Sequence, residues 1–266
     1  EIYHEKQMLG EQMRALKAIQ GDQSFDIVVD GVTYPVESKV DTLSFNTGVN
    51  EGAHGYKLGR GNEFPQNIRS MNKLRGLATN KINDLSSQIK SETDPMKKAE
   101  LTAKREMIKD MKSAATKALF IPLSKNPYDL GVKIDFLCRE LDIVPAWNCK
   151  SGKDRTGMKA VMMKKYATEF TKNMSDFKSE MSKNPQDVID GKLKIKLPKS
   201  YAGKPASEEA QEFNKKLLFG TGQDDVQSRN TTGPGFKLDG KPTAKIFKNL
   251  FGKATNWKGL SKIFGA

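Results

Sequence analysis

Residues 148–157 read NCKSGKDRTG, and no other stretch restricts the fold as tightly. An apolar pentapeptide, IVPAW at 143–147, runs into it, and an amphipathic run from Thr156 through Met163 to Phe170 leaves it. That order predicts strand, loop and helix. A loop entering a helix turns several backbone N–H groups toward one point, where the helix N-terminus adds positive potential, so an anion is expected at its centre. The same field would lower the thiol pKa of Cys149, while Arg155, beyond five intervening residues, supplies a planar fork suited to phosphate oxygens. The implied reaction is in-line attack by sulfur on phosphorus, giving a phosphocysteine that water or another acceptor resolves. Gly152 lets the backbone curl, and Thr156 can donate a hydroxyl hydrogen bond that steadies the departing sulfur.

Lys150 and Lys153 exceed what one phosphate requires, and an inositol ring carrying several phosphates would engage both. Asp154 is out of place beside a dianion unless it carries a proton and serves as general acid. Asp129 and Asp135 are upstream rivals for that role, and the sequence does not decide among the three. A cysteine and an arginine at this spacing also occur by chance. Here the apolar approach, the glycine, the two lysines and the following helix each have a separate task in one mechanism. Cys138, in IDFLCRE, reads instead as a small buried hydrophobe on a helix.

Forty-five Lys and Arg against 32 acids in 266 residues leave a net charge of +13, which favours an anionic partner. With 36% hydrophobic residues the chain can bury a core. Two cysteines and two distant histidines speak against a disulfide framework or a structural zinc site, and neither metal nor cofactor is expected. No apolar stretch has membrane-spanning length, no nucleic-acid-binding signature is present, and the chain opens in mid-pattern, as an excised domain would.

Residues 24–36 place β-branched runs on either side of Asp30-Gly31, which predicts a hairpin. Apolar residues recur at helical intervals from Ile68 to Ile89, and Asp94-Pro95 supplies an N-cap and first-turn proline for a second helix ending near Leu119. Beyond Pro185 the composition turns to Lys, Gly, Pro and Ser, with one helical island near 206–218. The expected fold is α/β: a cysteine-phosphatase-like core of strand, CX5R loop and helix, with a helical insertion and a loop-rich C-terminal extension. As one catalytic domain over 1–266, it divides into a hairpin region at 1–66, the insertion at 67–119, the core at 120–190 and a basic extension at 191–266.

CKSGKDRTG resembles the catalytic loop of the bacterial type III effector phosphoinositide phosphatases of the SopB, SigD and IpgD group, a motif similar to that of inositol polyphosphate 4-phosphatases. FNTGVNE at 45–51 is similar to the NFGVNE motif of the same group, and KLPKSYAGKP at 196–205 resembles its C-terminal region. The resemblance implies a nucleophile at Cys149 and a phosphate-binding arginine at Arg155, with Lys150, Ser151, Gly152 and Lys153 against the substrate. Asn46 and Asn50 join them as substrate-binding candidates, although a polar turn explains both equally well. The DRT ending also resembles myotubularin and Sac-type lipid phosphatases, in which the loop aspartate is assigned acid chemistry. A phosphoinositide such as phosphatidylinositol 4,5-bisphosphate in host membranes is the implied substrate. Secretion into the host cell is the implied route, and binding of host small GTPases would belong to an N-terminal region outside this chain.

The final segment, AKIFKNLFGKATNWKGLSKIFGA, interleaves five lysines with apolar residues, which suits an anionic membrane surface or a C-terminal helix docked on the core. Against the phosphoinositide reading stand a dual-specificity protein phosphatase and a non-catalytic basic lipid-binding module.

Overall fold

The computed structural model describes residues 2–45, 65–120, 128–147, 154–199, 207–219 and 249. The chain is mixed α/β and mostly helical, and it divides into two units, Glu1–Phe45 and Asn46–Ala266. In the first, helix α1 (Ile2–Ala18) precedes an antiparallel hairpin of β1 (Gly21–Val29) and β2 (Val32–Val40). Asp30 and Gly31 take φ of 52° and 79°, the left-handed pair that a two-residue hairpin turn needs, and Val29 pairs with Val32 beside it. The register holds to Gly21 opposite Val40, so the hairpin outruns the expected 24–36 at both ends. The Gln20 side-chain amide donates to Thr42 Oγ1 at 2.7 Å, tying the first strand to the segment after the second.

The second unit is helical. α2 (Pro65–Ser91) and α3 (Pro95–Leu119) are joined by three residues and pack against each other, as their sequence signals predict. Asp94 Oδ1 accepts the Lys97 N–H at 2.8 Å, and Pro95 fills the first helical position, where no donor is needed. The inward stripe of α2 is Met71, Leu74, Ala78, Ile82 and Leu85. That of α3 is rich in small residues, with Ala99, Ala103, Ala115 and Ala118 buried among Met107, Ile108 and Met111. Side chains this small let two backbones approach closely.

α4 (Asp129–Glu140) packs on α3 and on α5 (Asp154–Lys183), and it is buried on nearly every side. α6 (Pro185–Ile189) returns to α3, and α7 (Glu208–Phe219) covers part of α5. The expected helical island at 206–218 is α7, and the amphipathic run after the motif continues beyond Phe170 to Lys183. Residues 190–199 follow no regular element. Asn173 on α5 holds them by donating to the Lys196 carbonyl at 2.7 Å.

The strand expected at 143–147 does not form: β1 and β2 are the only strands among the described residues, and Val144 is 91% exposed. These residues are the exit from a helix. Asp142 adopts φ of 58°, its N–H donates to Arg139 O at 3.2 Å, and the Ile143 N–H donates to Cys138 O at 2.9 Å. Paired bonds of this kind around a left-handed residue close a helix C-terminus. With Pro145 lacking a donor and no second strand beside it among the described residues, the apolar pentapeptide has no ladder there to join.

Candidate active site

Helix α5 begins at Asp154, so Asp154, Arg155 and Thr156 occupy its first turn, at the positive end of 30 residues of aligned peptide dipoles. Cys149, Lys150, Ser151, Gly152 and Lys153 lie outside the described residues, as do Asn46, Asn50 and all of the basic C-terminal segment except Asn249, which is buried.

One turn past Arg155 on the same helix, Lys159 lays its Nζ 4.6 Å from the ring centroid of Trp147, two residues before Cys149. The Lys159 stem runs past Gly131 of α4, where a Cβ would lie 3.2 Å from its Cε. Burial pushes the Lys159 ammonium down to about 8, against the pull of the Asp135 charge on α4. Farther along the same interface Phe136 stacks at a tilt on Tyr166, with centroids 4.4 Å apart, and meets Phe170 edge-on at 5.9 Å. Burial, with the charges of Asp129 and Glu169 behind it, pushes the Tyr166 phenol up to about 12. These contacts fix α4 against the helix that leaves the motif.

The two upstream carboxylates both sit on α4 and both turn inward. Asp129 Oδ2 accepts from Lys133 Nζ at 2.6 Å, with both side chains buried. Asp135, 1% exposed, accepts from Arg139 Nε at 2.9 Å through Oδ2, while its Oδ1 has no hydrogen-bond partner among the described residues. Cys138 is buried as expected, and desolvation followed by the Asp135 charge pushes its thiol up to about 11. Lys159 and Trp147 escaped the sequence reading. Their one local signal is a lysine amid the apolar run AVMM, with a tryptophan just ahead of the loop. Among the described residues no group of three or more His, Cys, Asp or Glu could hold a metal ion, and no helix is long and apolar enough to cross a membrane.

The chain is mostly helical α/β, with the end of the CKSGKDRTG pattern in the first turn of a long helix, and comparison with known proteins shows its family. Residues 2–253 match the model of the enterobacterial virulence protein IpgD, and the chain belongs to that family. Inositol phosphate phosphatase SopB of Salmonella bongori is 28% identical over 280 residues, covering 98% of this chain and 60% of that relative. Inositol phosphate phosphatase IpgD of Shigella sonnei is 27% identical over 242 residues, covering 88% and 40%. Inositol phosphate phosphatase SopB of Salmonella typhi is 26% identical over 258 residues, covering 94% and 39%. The chain therefore spans 39% to 60% of the length of these curated relatives.

Proposed function

We propose that this chain carries the catalytic machinery of a phosphoinositide phosphatase or phosphotransferase that works through a phosphocysteine on Cys149. The observation that carries the reading is the start of α5 at Asp154, which sets Arg155 in the first turn of a long helix directly after the Cys149–Lys153 segment. The relatives are named inositol phosphate phosphatases, which supports the substrate class. The core is then a cysteine-phosphatase loop grafted onto helices, within one catalytic region over 1–266.

In the first step the Cys149 thiolate attacks phosphorus and the bond from phosphorus to the inositol oxygen breaks, with Asp154 giving its proton to the departing oxygen. The arriving phosphate dianion raises the carboxyl pKa and favours that proton. Arg155 and the backbone N–H groups take up the charge on the equatorial oxygens. In the second step water, or another inositol hydroxyl, attacks phosphorus, returns a proton to Asp154 and expels the thiolate, which Thr156 receives with a hydrogen bond. What supports Asp154 over Asp129 and Asp135 is that both rivals are buried on α4 and already engaged there, by Lys133 and Arg139. Lys150 and Lys153 hold the further phosphates of the ring, with Ser151, Gly152, Asn46 and Asn50 lining the substrate. The substrate is a phosphoinositide in host membranes, such as phosphatidylinositol 4,5-bisphosphate. It is reached after type III secretion into the host cytoplasm, with the basic C-terminal segment resting on the anionic surface.

Wild type and Cys149→Ser, each incubated with phosphoinositide vesicles, test this by released phosphate and by the ring positions of the lipid products. Wild type should release phosphate or form a positional isomer, and the variant should lose roughly a thousandfold or more in kcat. Phosphopeptide turnover matching lipid turnover would instead mark a dual-specificity protein phosphatase. Equal vesicle binding by two inert proteins would mark a basic lipid-binding module.

A further inference from the structure

Trp147 and Lys159 stand at the two ends of the segment that holds Cys149 and Arg155. The ring belongs to the chain leaving the C-terminal cap of α4, and the ammonium belongs to α5, the helix that begins at Asp154. At 4.6 Å from the centroid the ammonium is within cation–π range. A lysine this deep costs desolvation energy that a methionine would not, so its charge needs an account. Two partners supply one: the ring face on one side, and on α4 the carboxylate of Asp135, whose Oδ1 is buried and accepts no hydrogen bond among the described residues. Gly131 keeps α4 thin where the aliphatic stem passes, since any side chain there would begin 3.2 Å from Lys159 Cε.

We propose that Lys159 is a positioning residue for Cys149 and Arg155: its ammonium, seated on Trp147, holds the chain that enters the catalytic segment to the helix that leaves it. The proposal rests on the reading of those two residues as nucleophile and phosphate clamp. The groups that face the ammonium are the Trp147 ring from the approach segment, and Asp135 and the Cys138 thiol from α4. Because the ammonium titrates at about 8, the clamp releases as pH rises through that value.

The experiment places Lys159→Met or Lys159→Arg in the unaltered chain for phosphate release, and in a Trp257→Phe background, which leaves Trp147 as the sole tryptophan, for emission. Two quantities are followed against pH: Trp147 emission, and phosphate release from phosphatidylcholine vesicles carrying phosphatidylinositol 4,5-bisphosphate. Emission in the background protein should titrate near pH 8, and the methionine variant should show no such transition. Its kcat should fall about ten- to a hundredfold with KM little changed, the size of effect that a misplaced reacting group produces. Arginine, which stacks on tryptophan and stays charged, should restore most of the kcat and hold it above pH 8. The proposal is overturned if the methionine variant keeps kcat within about twofold of the unaltered chain, or if its emission in the Trp257→Phe background follows the same pH curve as that background alone. Should the unaltered chain release no phosphate, the phosphatase reading fails by itself. The emission curves then decide alone, identical ones overturning the clamp and a methionine-sensitive transition sustaining it.

Discussion

Lys133 and Asp129 form a contact whose loss should be felt more than its presence. Their side chains are 10% and 8% exposed and meet at 2.6 Å, one turn apart on α4. A buried pair of this kind gains little over apolar residues of the same size, yet removing one partner strands the other charge in the interior. Lys133→Met should therefore lower stability by about 3 kcal/mol in urea unfolding, with Asp129→Asn added to it recovering more than half. An equal loss in the double variant would show that packing, not charge, is at stake. The spacing of Asp129 to Lys133 and of Asp135 to Arg139 is legible in DLGVKIDFLCRE. Their burial is not, because polar residues fall on every face of that helix, and only α3 on one side and α5 on another enclose it. Lys159 was hidden for a related reason. Its partner ring lies 12 positions away, beyond any local periodicity.

At the scale of elements, whatever chemistry was local could be read from the sequence. Asp30-Gly31 and Asp94-Pro95 determine a turn and a helix start through their own backbone preferences, and both elements stand where those residues put them. IVPAW misled because a short apolar run fits a strand only if another strand lies beside it, and here the helix cap at Asp142 dictates the path instead. That cap carries its own cost. Asp142 holds φ of 58° with its side chain 85% exposed, and its ion pair to Lys81 at 3.6 Å is too solvated to repay much. Asp142→Gly should raise stability by about 0.5–1 kcal/mol, read as a higher melting temperature, because glycine enters the left-handed region without a Cβ penalty. A lower melting temperature would show that the Asp142 side chain holds the exit of α4. The loop of the candidate site, Cys149 to Lys153, falls outside the described residues, so only its helical end can be compared with the sequence reading.

For the molecule as a whole, the half-buried Lys159 and the buried Cys138 and Tyr166 shape the response to alkali. Lys159 falls from 10.5 to about 8 in the folded chain, so between those values the unfolded chain binds more protons and stability rises with pH. Cys138, raised from 9.0 to about 11, and Tyr166, raised from 10.0 to about 12, act in the opposite sense. Each contributes stability that is complete below its unfolded value and is lost as pH climbs to its folded one. Lys159 and Cys138 therefore oppose each other up to about pH 10, after which Cys138 and Tyr166 together drive alkaline unfolding. Tyr166→Phe should move the alkaline midpoint, followed by circular dichroism, to higher pH, and Lys159→Met should abolish the rise that begins near pH 8. Curves parallel to wild type would mean that other groups govern the transition. The alanines along α3 have a different reach. Ala99, Ala103, Ala115 and Ala118 expose little apolar surface when the helices part, which keeps the heat capacity of unfolding low for a bundle of this length. Its stability should then trace a broader, shallower curve against temperature than that of a leucine-packed bundle of the same length, so that the helical scaffold around the candidate site changes less between cool and warm conditions.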